Sequence, residues 1–263
     1  PPIWRLGAHG PNGVKRNLCS AGHHVCNQPG SQNPEGHGNN PIQPQAHMSL
    51  YYQDELVTLW HGDCLEATEW LKADVLITDP PYGIGYVSNF CRSGKVRKYG
   101  KTKPIQGDKD QGIRDKILEL WDGPALVFGS WKIDRPKNTR HLLIWDKGNT
   151  PGMGDLSLPW GPGHEEIYVI GSDWVGPRRS NVYRVPTLSA GSHNRPNHPT
   201  PKPIGLMEQL ISYSPPGVIA DPFAGSGTTL VAASNLGRAA IGYELEEAYC
   251  EIIAQRLAAK TLF

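Results

Sequence analysis

The chain has 263 residues, and its 26 Lys and Arg against 25 Asp and Glu leave a net charge of only +1, so bulk charge does not announce a nucleic-acid binder and any such case rests on local clusters. The length suits one large α/β domain or two small ones, and no apolar run is long enough to predict a transmembrane helix or a secretory leader. The five cysteines, Cys19, Cys26, Cys64, Cys91 and Cys250, are scattered without a CxxC pair, which argues against a disulfide framework and for a reducing, cytoplasmic setting.

Residues 1–47 are rich in Pro, Gly, Asn, Gln and His and poor in apolar residues. Such a stretch cannot offset its ordering entropy, so it is expected to be a disordered or non-native extension, with the fold beginning at about Met48. Its Cys19, His23, His24, Cys26 and His37 follow no zinc-site spacing, and no metal is expected. Leu56 to Trp60 reads as a strand ending at His61-Gly62-Asp63, and Cys64 to Leu71 as a short helix. Asp74 to Thr78 reads as a buried strand that runs into Asp79-Pro80-Pro81-Tyr82. Residues 83–112 are Gly- and Lys-rich and predict a long loop. A helix is expected over Ile113 to Trp121, then strands at Ala125–Phe128, Leu142–Trp145 and Glu166–Ile170. Residues 171–200 are polar and predict a second irregular region.

The last third is the most regular. Pro203 opens a helix running to about Ser214, and Pro215-Pro216-Gly217 breaks it. Val218–Ala220 reads as a strand, Asp221 to Gly227 as a loop, and Thr228 to Leu236 as a helix stopped by Gly237. Ala239 to Tyr243 is the next strand, ending at Glu244. Tyr249, Ile252, Ile253, Arg256 and Leu257 fall at helical spacing. Strands alternating with helices predict an α/β fold with a mostly parallel sheet covered on both faces.

Two loops carry chemistry. Gly225-Ser226-Gly227 joins a strand to a helix, where glycines admit unusual dihedrals and close approach of a ligand, and where helix N-terminal amides favour an anionic group. Glu244 ends the following strand at the spacing from which an acidic residue binds ribose hydroxyls in nucleotide folds. No Lys-Ser/Thr follows the glycines, so a P-loop is excluded, and the pattern points to a ribonucleoside without a large phosphate tail. The second loop is Asp79-Pro80-Pro81-Tyr82. Its prolines fix φ and remove two amide donors, so a carboxylate, a rigid carbonyl and an aromatic face are presented together at a strand end, a receptor suited to an aromatic amine.

Asp79-Pro80-Pro81-Tyr82 and Asp221-Pro222-Phe223-Ala224-Gly225-Ser226-Gly227-Thr228-Thr229, in that order, resemble the motifs of the β class of DNA amino-methyltransferases over roughly Leu50 to Leu257. The resemblance implies a Rossmann-like S-adenosylmethionine-dependent methyltransferase fold spanning 48–263, with recognition loops at about 83–112 and 171–200. It implies methyl transfer from S-adenosylmethionine to an exocyclic amine in DNA. N6 of adenine is preferred because the tetrapeptide begins with Asp. N4 of cytosine, and a catalytically silent nucleic-acid-binding module on the same fold, are the alternatives. It further implies that Asp63 contacts the cofactor adenine, that Thr200 and Lys202 in His198-Pro199-Thr200-Pro201-Lys202-Pro203 serve its methionine end, and that Asp221, Phe223, Ala224, Gly225, Ser226, Gly227, Thr228 and Glu244 line the rest of that site. Taken alone, Asp63 reads equally as a strand-end cap and Lys202 as a solvated charge.

By the same resemblance the Asp79 carboxylate and the Pro80 carbonyl accept the two N–H bonds of the target amine, stabilising the charge that grows on nitrogen. Pro81 stiffens the turn, and Tyr82 stacks on a base that has left the duplex. Two basic groups are expected on DNA phosphates: Arg92, Lys95, Arg97, Lys98, Lys101 and Lys103 after the catalytic turn, and Arg178, Arg179, Arg184 and Arg195 in the second loop. DNA is the expected partner, a homodimer is left open, no membrane contact is expected, and a restriction-modification setting fits the resemblance.

Overall fold

The computed structural model describes residues 48–82, 112–148, 154, 157–188, 196, 198 and 200–259. The N-terminal Cys/His segment, the loop bearing Arg92, Lys95, Arg97, Lys98, Lys101 and Lys103, and Arg195 lie outside them.

Among the described residues nine strands form one sheet: β1 (Ser49–Gln53), β2 (Val57–His61), β3 (Val75–Thr78), β4 (Ala125–Gly129), β5 (Thr139–Asp146), β6 (His164–Ile170), β7 (Val182–Arg184), β8 (Ile219–Asp221) and β9 (Ala240–Glu244). Their order is β1-β2-β9-β8-β3-β4-β6-β5-β7. β1 and β6 run antiparallel to their neighbours and the other strands run parallel. The helices are α1 (Gly112–Leu120), α2 (Ile204–Ile211), α3 (Thr228–Asn235) and α4 (Glu247–Ala258). Among the described residues no helix is long and apolar enough to cross a membrane.

Side-chain alternation along each strand feeds two cores. On β3, Val75 and Ile77 face a cluster with Leu206 of α2, Leu230 of α3 and Ile253 of α4, while Leu76 faces Trp70, Ile117 and Trp121. All four β3 residues are buried. This is why Val75–Thr78 reads as a continuous apolar run rather than an alternating one.

Three sequence expectations change. Cys64 to Leu71 is not one helix but two 3-10 turns, Cys64–Glu66 and Glu69–Lys72; the Trp70 indole donates to the Cys64 carbonyl at 2.9 Å, and burying that ring fixes the break between them. The region 171–200 is not wholly irregular, because β7 pairs with β5 through Val182, Tyr183 and Arg184. β1 is an added edge strand on β2.

The parallel strands all end on one edge. There lie Gly62 and Asp63 after β2, Asp79 after β3, Asp221 at the end of β8 and Glu244 at the end of β9, beside the start of the antiparallel β6. In open α/β sheets this is the edge at which ligands bind.

Candidate active site

The two motif loops are neighbours because β3 and β8 are paired. The Thr78 hydroxyl donates to Asp221 Oδ1 at 2.8 Å, joining the residue before the Asp79-Pro80-Pro81-Tyr82 turn to the first residue of the glycine loop. The Phe223 amide donates to the same oxygen at 3.2 Å. Burial pushes the Asp221 carboxyl up to about 6, against the opposing hydrogen bonds from Thr229, Thr78 and Phe223.

The glycine loop needs its glycines. Gly225 and Gly227 have φ of +54° and +74°, where side chains with a Cβ are strained. A Cβ on Gly227 would also stand 2.6 Å from Ile253 Cγ1. The Gly225 amide donates to Glu244 Oε2 at 2.7 Å and the Glu246 amide to Oε1 at 2.8 Å, so Glu244 clamps the loop from the adjacent strand end. Burial pushes its carboxyl up to about 7 despite these bonds. Arg256 on α4 donates from the other side to the Ser226 carbonyl, and burial lowers its guanidinium to about 10. Sequence reading places Arg256 only in a helical pattern; its contact to the loop depends on how α4 docks.

These residues fit S-adenosylmethionine. α3 begins at Gly227 with no side-chain cap, so first-turn amides are available to a carboxylate. Glu244 retains lone pairs for hydroxyl donors. Arg256, the long basic side chain at this loop, is turned to the Ser226 carbonyl. Asp63 sits two residues beyond the His61–Glu244 register pair, with Oδ1 accepting from the Leu65 amide at 2.9 Å. It therefore does serve as a cap for the turn that follows. His198 packs edge-on against Tyr249 with ring centres 4.8 Å apart, and a Cβ on Gly225 would meet its Nε2 at 3.3 Å. His198 thus lies over the glycine loop, and the Thr200 amide contacts His198 Nδ1 at 3.3 Å.

At the Asp79-Pro80-Pro81-Tyr82 turn the Tyr82 hydroxyl donates to Asp79 Oδ1 at 2.7 Å, and Lys202 Nζ donates to Asp79 Oδ2. Lys202 is 8% exposed and lies 3.2 Å from Glu165 Oε2, and its Nζ stands 4.8 Å from the centre of the Phe128 ring. It is not a solvated charge: it is buried, and its ammonium is paired with Asp79. Burial alone would lower the Lys202 ammonium, but Asp79 and Glu165 outweigh it and hold the group above its ordinary range. Glu165 Oε1 pairs with Lys147 Nζ at 2.7 Å. Burial would raise the Glu165 carboxyl, and the two lysines overcome this and lower it. Tyr82 is raised, first by burial and then by the Asp79 and Glu165 charges. Glu165 and Lys147 carry no motif; they reach the site only through the β5–β6 pairing of Trp145 with Glu165.

The basic group of the second loop is divided. Arg184 ends β7 on the Asp79 edge, 82% exposed, with Nε 3.3 Å from Asp146 Oδ2. Arg178 and Arg179 precede β7, at the opposite ends of the strands. Arg179 lies 4.3 Å and 5.3 Å from the ring centres of Tyr183 and Tyr213, a packing position away from Asp79.

A family model described as DNA methylase matches residues 135–255. The chain is 31% identical over 224 residues to the putative methylase YubD of Escherichia coli (strain K12), covering 75% of this chain and 88% of that protein. It is 36% identical over 229 residues to the type II methyltransferase M.HpaI of Haemophilus parainfluenzae, covering 73% and 70%. Its fold matches the M1.HpyAVI–SAM complex with a TM-score of 0.55 at 23% identity, over 77% of this chain and 99% of that one. It matches the cytosine-N4-specific PvuII DNA methyltransferase with a TM-score of 0.58 at 14% identity, over 80% and 89%. The sheet is that of the S-adenosylmethionine-dependent DNA methyltransferases, and the chain belongs to the DNA amino-methyltransferase family, the N6-adenine and N4-cytosine methylases.

Proposed function

We propose that this DNA methyltransferase acts on N6 of adenine and that Asp79-Pro80-Pro81-Tyr82 is its catalytic turn. The observation carrying this reading is the bond between Thr78 and Asp221, which sets the amine receptor directly beside the cofactor loop. Glu244 would hold the ribose hydroxyls, Asp63 the adenine, and the first-turn amides of α3, from Thr228 on, the carboxylate, with Asp221, Phe223 and Ala224 shaping the floor and Thr200 the cover. S-adenosylmethionine supplies an electrophilic methyl group.

The chain's own residues prepare the amine. Its lone pair is delocalised into the ring, so the nitrogen is a poor nucleophile. Asp79 and the Pro80 carbonyl accept its N–H bonds, favour a pyramidal nitrogen and stabilise its developing positive charge. Pro81 keeps the carbonyl fixed, and the Tyr82 ring receives the face of the extruded base. Because the Tyr82 hydroxyl rests on Asp79 Oδ1, the amine displaces it on entering. A leading carboxylate, paired with Lys202, supports adenine as the target. Arg184, exposed on the same edge, is the described arginine best placed for a DNA phosphate, and the compartment holding that DNA is the cytoplasm.

Mass spectrometry of nucleosides from unmethylated DNA treated with the chain and S-adenosylmethionine tests this. N6-methyladenine is expected. N4-methylcytosine would reassign the base, and a methyl group on a ring carbon would overturn the pocket's proposed chemistry.

A further inference from the structure

We propose that Glu165, braced by Lys147, is a positioning residue for methyl transfer: it shares Lys202 with Asp79 and so fixes which Asp79 oxygen meets the target amine. The inference rests on the reading of Asp79 as the amine acceptor.

The geometry is a chain of four charges. Lys147 Nζ lies 2.7 Å from Glu165 Oε1, and Glu165 Oε2 lies 3.2 Å from Lys202 Nζ, which in turn contacts Asp79 Oδ2. Their side chains are 13%, 20%, 8% and 29% exposed in that order. Two carboxylates and two ammoniums make the set neutral, as buried charges require. The Lys202–Glu165 contact is an ion pair without the alignment of a hydrogen bond, since among the described residues Glu165 Oε2 has no aligned donor. Lys202 is therefore directed toward Asp79 and balanced by Glu165.

Asp79 is left with two unlike oxygens. Oδ2 is occupied by a buried lysine on the Phe128 ring, a contact that base entry does not disturb. Oδ1 is occupied by the hydroxyl of Tyr82, whose ring must adjust when a base stacks. The amine therefore takes Oδ1. Without the negative charge of Glu165, Lys202 would pair with Asp79 alone and draw off the charge that should stabilise the reacting nitrogen.

The test is single-turnover transfer of labelled methyl groups to unmethylated plasmid DNA by the full chain and by Glu165→Gln, Lys202→Met and the double variant, with cofactor affinity measured by calorimetry. Glu165→Gln is expected to slow transfer roughly ten- to a hundred-fold, the range for a misplaced reacting group, with cofactor affinity unchanged. The double variant is expected to be no slower than Lys202→Met, because Glu165 acts through Lys202. Wild-type transfer by Glu165→Gln, or rate losses that multiply in the double variant, would overturn the proposal. So would a loss of cofactor affinity in both single variants, which would return Lys202 to the cofactor. Should Glu165→Gln not fold, Lys147→Met reaches the same chain from its far end. Slower transfer at unchanged cofactor affinity supports the proposal there, and a wild-type rate overturns it. An unmodified chain that methylates no base removes the underlying reading as well, whereas an active chain with an equally active Glu165→Gln removes the inference alone.

Discussion

Thr78 Oγ1 donates to Asp221 Oδ1 across the β3–β8 pair at 2.8 Å, with both residues buried. This bond fixes the spacing between the amine receptor and the cofactor loop. Thr78→Val keeps the shape and removes the donor, leaving a buried carboxylate short of a partner, which costs about 1–3 kcal/mol. Urea denaturation should show that loss, and calorimetry should show weaker cofactor binding. Unchanged stability and affinity would mean the bond does not organise the site.

Gly227 and Gly225 should respond unequally to alanine. At Gly227 a left-handed backbone costs about 1–2 kcal/mol, and contact with Ile253 at 2.6 Å adds overpacking of about 1–3 kcal/mol. At Gly225 the nearest atom, His198 Nε2, is 3.3 Å away, so the packing penalty is smaller. Denaturation midpoints of the two variants check the order, Gly227→Ala being the less stable.

Glu244 gives a pH signature in two opposite senses. Burial raises its carboxyl from 4.5 to about 7, so the folded state holds the proton more tightly than the unfolded one. That contribution to stability is complete below 4.5 and is lost as pH rises through about 7. Ribose hydroxyls instead donate to the ionised carboxylate, so cofactor affinity should rise over the same window. Glu244→Gln should flatten the stability decline and remove the pH dependence of cofactor affinity. Calorimetry and denaturation from pH 5 to 8 read both effects.

Arg184 and Arg178 should separate in salt titrations of DNA binding. Losing one phosphate contact lowers the slope of log affinity against log salt by about one. Arg184→Gln, on the Asp79 edge, should show that change. Arg178→Gln, at the other ends of the strands, should leave the slope as it is.

The parts of the site legible in sequence are those whose function is local. Asp79-Pro80-Pro81-Tyr82 and the glycine loop are contiguous, and Glu244 follows at a spacing set by one helix and one strand. Glu165, Lys147 and Arg256 could not be read this way, because strand pairing and helix docking bring them in. The burial and pairing of Lys202 were hidden for the same reason: its neighbours Asp79 and Glu165 are remote in sequence. β7 has three residues, too few for a period to show, and β1 is an edge strand whose exposed and half-buried residues form no apolar run.

The central claim is that the Asp79 carboxylate stabilises the reacting amine. Single-turnover methyl transfer to DNA by Asp79→Asn tests it most directly, since Asn keeps the side chain's shape and a carbonyl for the Tyr82 hydroxyl. The rate is predicted to fall about a hundred- to a thousand-fold, the loss typical of one preorganised group at a developing charge. Cofactor affinity should stay unchanged, because Asp79 faces the amine. Near-normal transfer by Asp79→Asn, with the methyl group still delivered to the exocyclic nitrogen, would contradict the account.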